Sequence, residues 1–253
     1  MNIYLDTNIF IYLEEKKLTL SDLENLIGNK INKIFFSASH IHETLEIKGC
    51  DEEQRKQRIN QRLQIIETIT NKCYINENLE NEVFEYKESP FTVIETITEV
   101  PFTQNAMKGL INLITEEQKL ETQKLLDINP KNLNNYSPSE VIEHLSKKLN
   151  QYGNDFTFLN MIEMGISHHP NGNTFGRSNR IAAIFELLDM LGYWKDKAND
   201  KSNYARLWDS SHTFYASYCD YFISNDKRTV NKAKVVNEIY GIKTQVLMPK
   251  NVG

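Results

Sequence analysis

The sequence predicts an α/β fold: a parallel sheet flanked by helices, built from both ends of the chain, with a mainly helical stretch between them. Three observations predict it. Asn2-Ile3-Tyr4-Leu5 and Lys33-Ile34-Phe35-Phe36-Ser37 are short apolar runs bounded by polar residues, the pattern of buried strands. Residues 1–49 then read strand, helix, helix, strand, helix, an order that implies parallel strands. The same alternation returns at the far end, where Tyr221-Phe222-Ile223-Ser224 precedes a helix from Thr229 to Tyr240 and a last short strand from Lys243 to Leu247.

Taken in order, Asn8 is an N-cap candidate for a first helix beginning at Ile9. Ser21 with Glu24 offers a capping box for a second, Asp22 to Ile27, which Gly28 stops. A third starts at Ser39, carries His40, Ile41, Glu43, Leu45 and Ile47, and ends at Gly49. Residues 51–67 are highly charged, with Ile59, Leu63 and Ile66 marking one apolar helical stripe. From 75 to 103 the pattern is mixed; the β-branched run Thr92 to Val100, between Pro90 and Pro101, reads as strand. Helices follow over Ala106 to Leu126, over Pro138 to Leu149 with Ser137 as cap and Pro138 at the first helical position, over Phe156 to Ile166, and over Ser178 to Leu191 before Gly192. Asp196 to Asn203 is a polar linker, and Leu207 to Tyr218 a further helix. The expected organisation is a core from residues 1–49 and 205–253, with 50–204 as a mainly helical insertion.

The bulk numbers suit that architecture. A chain of 253 residues, 40% hydrophobic and 25% charged, has the composition of a globular protein with a sizeable core. No apolar run approaches the ~18–20 residues of a membrane span, and a strand beginning at residue 2 leaves no room for a secretory leader. Cys50, Cys73 and Cys219 are scattered and form no C-x-x-C pair, so reduced thiols and a cytoplasmic location are expected. The net charge of −5 gives no global attraction to nucleic acid, although basic residues are grouped locally, as at Arg177 with Arg180 and Lys227 with Arg228.

Four acids occupy related positions. Asp6 follows the first strand and Glu43 lies in the first turns after the second. Asp209 opens the helix before the third strand, and Asp226 follows that strand two residues past Ser224. Strand ends of a parallel sheet share one edge, where ligands bind in open α/β sheets, so three or four carboxylates can converge there. Taken singly, each acid has a plainer role: a cap at Asp6, a solvated helix acid at Glu43, a dipole partner at Asp209, a turn residue at Asp226. Taken together, the carboxylates repel and lose solvation unless a cation neutralises them. Oxygen-only ligands suit Mg²⁺ or Mn²⁺, the usual ions of phosphate chemistry.

At this point the residues resemble a family. Ile3-Tyr4-Leu5-Asp6-Thr7-Asn8-Ile9-Phe10-Ile11 is similar to the opening of a PIN domain, and Ser37-Ala38-Ser39-His40-Ile41-His42-Glu43 resembles that family's second motif. The run from Asp209 through His212, Asp220 and Ser224 to Asp226 resembles the third and fourth motifs. The resemblance implies an endoribonuclease in which Asp6, Glu43, Asp209 and Asp226 hold one or two Mg²⁺ or Mn²⁺ ions and a metal-activated water attacks the phosphodiester, leaving a 5′-phosphate and a 3′-hydroxyl. Thr7, Asn8 and Ser224 would support the site. Asp220, at the opposite strand end, is expected away from the metals. His212, one turn after Asp209, touches substrate or a carboxylate, or is simply a packed histidine. A toxin-like or defence nuclease, an RNA substrate, a protein inhibitor or antitoxin, and a homodimer are the expectations by family analogy. The departure from the family is the long helical stretch between Glu43 and Asp209, which small PIN toxins lack.

The residues also admit three other readings. His169-Pro170-Asn171-Gly172-Asn173-Thr174-Phe175-Gly176-Arg177-Ser178-Asn179-Arg180 has a likeness to the Fic motif of AMP-transferases, but Gly172-Asn173 is split from Gly176-Arg177 and the loop's acid is absent. Its Arg177 and Arg180, at a helix N-terminus, are candidate RNA-phosphate contacts, as are Lys227 and Arg228. A haloacid-dehalogenase phosphatase places a second Asp two residues after its nucleophile, where this chain has Asn8. A PIN fold used as a non-catalytic RNA- or protein-binding scaffold is the rival from outside enzymology.

Overall fold

The computed structural model describes residues 1–49, 51–97, 115–153, 156–168, 172–196 and 200–250. Its central element is a four-stranded parallel sheet in the order β2-β1-β5-β6: β1 is Asn2–Leu5, β2 Lys33–Phe35, β5 Tyr221–Ile223 and β6 Gln245–Leu247. Tyr4 is in register with Phe35 on one side and Phe222 on the other. The chain therefore builds outward from the β1–β5 pair in both directions. The crevice beyond the carboxyl ends of those two strands is the topological switch point of the sheet.

The chain divides into two compact units: Met1–Thr103 with Tyr215–Asp226 and Lys243–Gly253, and Gln104–Phe214 with Lys227–Ile242. Helix α4 (Glu52–Thr70), expected in the insertion, thus groups with the sheet. So does a β-hairpin that sequence periodicity does not reveal, β3 (Cys73–Glu77) paired antiparallel with β4 (Val83–Lys87). Its turn contains neither Gly nor Pro. Instead the Asn78 side-chain carbonyl accepts the backbone N–H groups of Glu80 and Glu82, each at 2.9 Å, and Asn81 takes the left-handed conformation at φ 62°. A single parallel bridge between Phe36 and Tyr74 joins the hairpin to the end of β2.

In the first unit, α1 is Thr7–Glu14, α2 Leu20–Ile27 and α3 Ala38–Leu45. Ile3, Leu5, Ile9, Phe10, Leu23, Ile41, Leu63 and Ile66 form one buried cluster between strands and helices. Several local expectations are corrected. The N-cap of α1 is Asp6, not Asn8. The capping box of α2 is Thr19 with Asp22, two residues earlier than Ser21 with Glu24, because Thr19 is the last extended residue and its hydroxyl accepts the Asp22 N–H. Helix α3 starts at Ala38, capped by Ser37. The β-branched run from Thr92 is not a strand: Pro90–Ile97 is helix α5. Ser89 accepts the Phe91 N–H and Pro90 sits at the first helical position, a start signal stronger than β propensity when Val93 is buried and Ile94 and Ile97 pack on the core at helical spacing. Residues 98–100 lie outside the described set.

The second unit is helical among the described residues: α6 (Glu116–Leu125), α7 (Pro130–Leu133), α8 (Pro138–Leu149), α9 (Phe158–Ser167), α10 (Arg177–Met190), most of α11 (Asp200–Ala216) and α12 (Lys227–Tyr240). Helix α8 begins as the sequence indicates, with a Ser137–Glu140 capping box and Pro138 at its first position. Val141, Leu145 and Leu149 form its buried face, and α12 packs beside it with Val230, Ala233 and Val236 buried. The first half of the expected helix Ala106 to Leu126, and residues 169–171 of the Fic-like loop, lie outside the described residues. Helix α11 begins at Asp200, inside the stretch expected as a linker, so Asp209 lies mid-helix and does not open it.

This unit buries an ion network. Asp189 on α10, 1% exposed, is 2.7 Å from Lys119 Nζ, 3.2 Å from Arg206 Nη1 and 3.5 Å from Lys232 Nζ. Asp196 takes second contacts from Arg206 at 3.3 Å and Lys232 at 2.9 Å. Arg206, itself 1% exposed, also forks onto Glu186 with bonds of 2.7 and 2.9 Å. Four elements are tied together by charges that read in sequence as solvated faces.

Candidate metal centre

The site grows out of the end of β1. Asp6 keeps its backbone in the sheet, its N–H bonding to the Ile223 carbonyl at 2.9 Å, while its carboxylate is 4% exposed. Although Asp6 occupies the N-cap position of α1, its side chain makes no capping hydrogen bond. The plainer role for this residue is therefore excluded, and the carboxylate is held by something else. Asp6 Oδ2 accepts from Asn8 Nδ2 at 2.6 Å and from the Ser224 hydroxyl.

Ser224 follows β5 directly and is fully buried. With its proton given to Asp6, its oxygen receives the Asp226 N–H at 3.0 Å and Asn8 Nδ2 at 3.4 Å. Asn8 in turn accepts the Asn225 N–H at 3.0 Å, and Asn225 Nδ2 donates to Tyr12 Oη at 2.8 Å. Each supporting group thus fixes the next, the arrangement that aims a carboxylate at a ligand. Thr7 does the same for Glu43: its hydroxyl donates to Glu43 Oε2.

Beneath these acids lies a residue that sequence reading placed only as a member of a helix. His40 is fully buried, and its Nδ1 accepts the Ser37 N–H at 3.0 Å. That fixes the tautomer: Nε2 carries the proton and donates to the Leu5 carbonyl at 2.7 Å. His40 therefore clamps the last residue of β1 to the first turn of α3, and so ties the backbone that carries Asp6 to the helix that carries Glu43. Tyr4 completes the support. Burial pushes its phenol well above the ordinary value, so it stays neutral, and it shares a 2.6 Å hydrogen bond with Ser37 Oγ. The signal in the sequence was His40 at the third position after the Ser37 cap.

Asp6, Glu43 and His212 each offer one ligand atom, and these atoms lie within 4.8 Å of one another, a buried group that can hold a metal ion. This group joins an imidazole to two carboxylates, where the sequence expectation is a set of four carboxylates. Asp209 and Asp226 are not in that group. Asp209, half-buried, lies one turn before His212 on α11, with its carbonyl accepting from Thr213 Oγ1 at 2.9 Å. Asp226, also half-buried, is fixed through its N–H to Ser224. Asp220, at the other end of β5, accepts the Asn2 N–H at 2.7 Å on the far edge of the sheet, as expected.

The four basic candidates belong to the second unit. Arg180 forks onto Glu163 at 2.9 and 3.1 Å and donates to the Phe175 carbonyl. Arg177, the first residue of α10, is exposed. Lys227 stands 4.6 Å from the centre of the Trp194 ring, and Arg228 is 3.5 Å from Asp196 Oδ1. No helix among the described residues is long and apolar enough to cross a membrane. No protein-family model, no curated protein and no solved structure matches the chain.

Proposed function

We propose that this protein is a metal-dependent endoribonuclease with a PIN-like core, its centre at Asp6, Glu43 and His212. The observation that carries the reading is a buried carboxylate at the sheet's switch point that caps nothing, is aimed by Asn8 and Ser224, and lies within 4.8 Å of a second carboxylate and an imidazole. The donor set fits a divalent cation. Carboxylates suit Mg²⁺ and Mn²⁺, and an imidazole is compatible with first-row transition ions. Mn²⁺ therefore satisfies all three donors, with Mg²⁺ the alternative. When bound, the ion activates water and neutralises phosphate oxygens.

The chain's own residues do the rest. Asp6 and Glu43 supply the negative charge that attracts the cation, and Asn8, Ser224 and Thr7 prevent those carboxylates from turning away. His40 holds their two backbones at a constant separation. Asp209 and Asp226 are the further acids of the set. An RNA phosphodiester is cut to a 5′-phosphate and a 3′-hydroxyl. The role is that of a toxin-like or defence nuclease in the cytoplasm, held in check by a protein inhibitor.

The test is cleavage of a defined single-stranded RNA with its product ends identified. Cleavage should require Mn²⁺ or Mg²⁺, stop on adding EDTA, and yield 5′-phosphate ends. Cleavage that persists in EDTA, or ends bearing a cyclic phosphate, would refute the reading. A second outcome follows from the support network. Ser224→Ala leaves Asp6 in place but removes one of its donors, and such supporting partners are typically worth about 10–100-fold in metal affinity. Calorimetric titration with Mn²⁺ should show that loss with the circular dichroism spectrum unchanged; an unaltered affinity would remove Ser224 from this role.

A further inference from the structure

We infer that the free edge of β4 is a dimerisation surface whose partner is a second copy of this chain, paired antiparallel about Tyr86. The inference is independent of the nuclease reading.

Strand β4 is the end of its two-stranded sheet, and no strand lies beyond it among the described residues. The direction of its backbone groups follows from the hydrogen bonds that flank the hairpin. Glu88 N–H bonds to the Lys72 carbonyl and Asn78 N–H to the Glu82 carbonyl, each at 2.9 Å. In an antiparallel pair such bonds recur at every second residue, so Phe84, Tyr86 and Glu88 turn their backbone groups toward β3. Val83, Glu85 and Lys87 turn theirs outward, the exposed ladder that a further strand can join. The side chains along this edge are exposed from Phe84 to Lys87, and Phe84 and Tyr86 are 41% and 49% accessible. Their rings continue an aromatic row that starts in the core: Phe36 to Tyr74 at 5.0 Å, Tyr74 to Tyr86 at 6.4 Å, Tyr86 to Phe84 at 6.2 Å.

The occupant is decided by charge. The edge reads Val83-Phe84-Glu85-Tyr86-Lys87. Within the chain Glu85 lies 2.7 Å from Lys33 Nζ, and Lys87 Nζ donates to the Asn71 carbonyl at 2.6 Å. Paired antiparallel with its own copy and centred on Tyr86, the strand in addition sets Glu85 opposite Lys87 of the second copy and Lys87 opposite Glu85. These are also the residues with outward backbone groups, so both pairs are hydrogen-bonded across the new ladder. On the other face Tyr86 meets Tyr86, with each Phe84 on the diagonal, and the aromatic row runs on into the second molecule. A register one residue away on either side loses the paired charges, and centring on Glu85 sets that carboxylate against itself. The edge is thus complementary to itself in one register, the property of a two-fold interface.

Sedimentation equilibrium of the full chain, at protein concentrations up to about 1 mM to reach a weak interface, tests the inference. Wild type should self-associate to a dimer. Glu85→Lys and Lys87→Glu should each set like charges opposite in both symmetric pairs and lower the association constant about tenfold or more. The double variant Glu85→Lys with Lys87→Glu should regain wild-type association. Mixing the two single variants in equal amounts should likewise give a heterodimer, because one strand then carries only Lys and the other only Glu. A monomeric wild type, single variants that associate like wild type, or a mixture that stays monomeric would each overturn it. The mixing arm also excludes misfolding as the cause, since unfolded single variants cannot recover on mixing.

Discussion

Asp6→Asn is expected to lower metal-dependent RNA cleavage by about a thousandfold or more, roughly 4 kcal/mol of transition-state stabilisation, while leaving the fold intact. The substitution keeps the shape of the side chain and an oxygen that accepts from Ser224, but removes the charge that draws the cation. Two effects on stability separate this from misfolding. Without metal, the variant should be as stable as wild type or more so, because one of two crowded carboxylates has lost its charge. With Mn²⁺ at a hundred times its dissociation constant, wild type should gain about 2.7 kcal/mol, which is roughly 5–10 °C in melting temperature for a chain of this size, and the variant should gain almost none. Melting curves with and without Mn²⁺ read both effects; an equal shift in the two proteins would place the ion elsewhere.

The second large effect is expected at Asp189. Its carboxylate faces Lys119, Arg206 and Lys232 with almost no solvent. Asp189→Ala leaves Lys119 to the half-exposed Glu116, Arg206 to Glu186 and Asp196, and Lys232 to Asp196. Breaking a buried ion pair from one side costs about 3–5 kcal/mol, a large part of the about 5–15 kcal/mol that holds a typical domain. Urea unfolding should show that loss in the helical unit, and a loss below about 1 kcal/mol would show that the network is not fully buried in solution. The pH dependence follows from the same contacts. Burial alone would raise the Asp189 carboxyl, but the charges of Lys232 and Arg206 outweigh it and hold the group down at about 2, against an ordinary 3.8. A depressed folded value means that this stabilisation is fully present above about pH 4 and disappears as pH falls through about 2, amounting to about 2 kcal/mol. The gap between wild type and Asp189→Ala should therefore narrow on acidification below pH 4.

These two residues also mark what the sequence makes legible. Asp6 stands out because an apolar strand stops on it, and that pattern needs no knowledge of the rest of the chain. The parallel sheet is legible for the same reason, as is helix α8, whose Ser137-Pro138 start carries its own local chemistry. Asp189, Lys119 and Arg206 give no such signal, since charges on a helix face are ordinarily solvated and only packing shows that these are not. The hairpin was hidden because its turn is made by one Asn side chain among glutamates, and α5 because β-branched composition masked a Ser-Pro helix start. Within the site, Asn8, Thr7 and Ser224 were expected as supports and are found bonded to Asp6 or Glu43. The place of His212 among the donors was left open by the sequence. Helix α11 begins earlier than its composition indicates, at Asp200 inside a run of polar residues.

The most direct measurement is anomalous diffraction from crystals soaked in Mn²⁺. The account predicts a single strong peak bounded by the carboxylates of Asp6 and Glu43 and the imidazole of His212, lost in Asp6→Asn. Full Mn²⁺ occupancy elsewhere, with no peak among those three side chains, would contradict it.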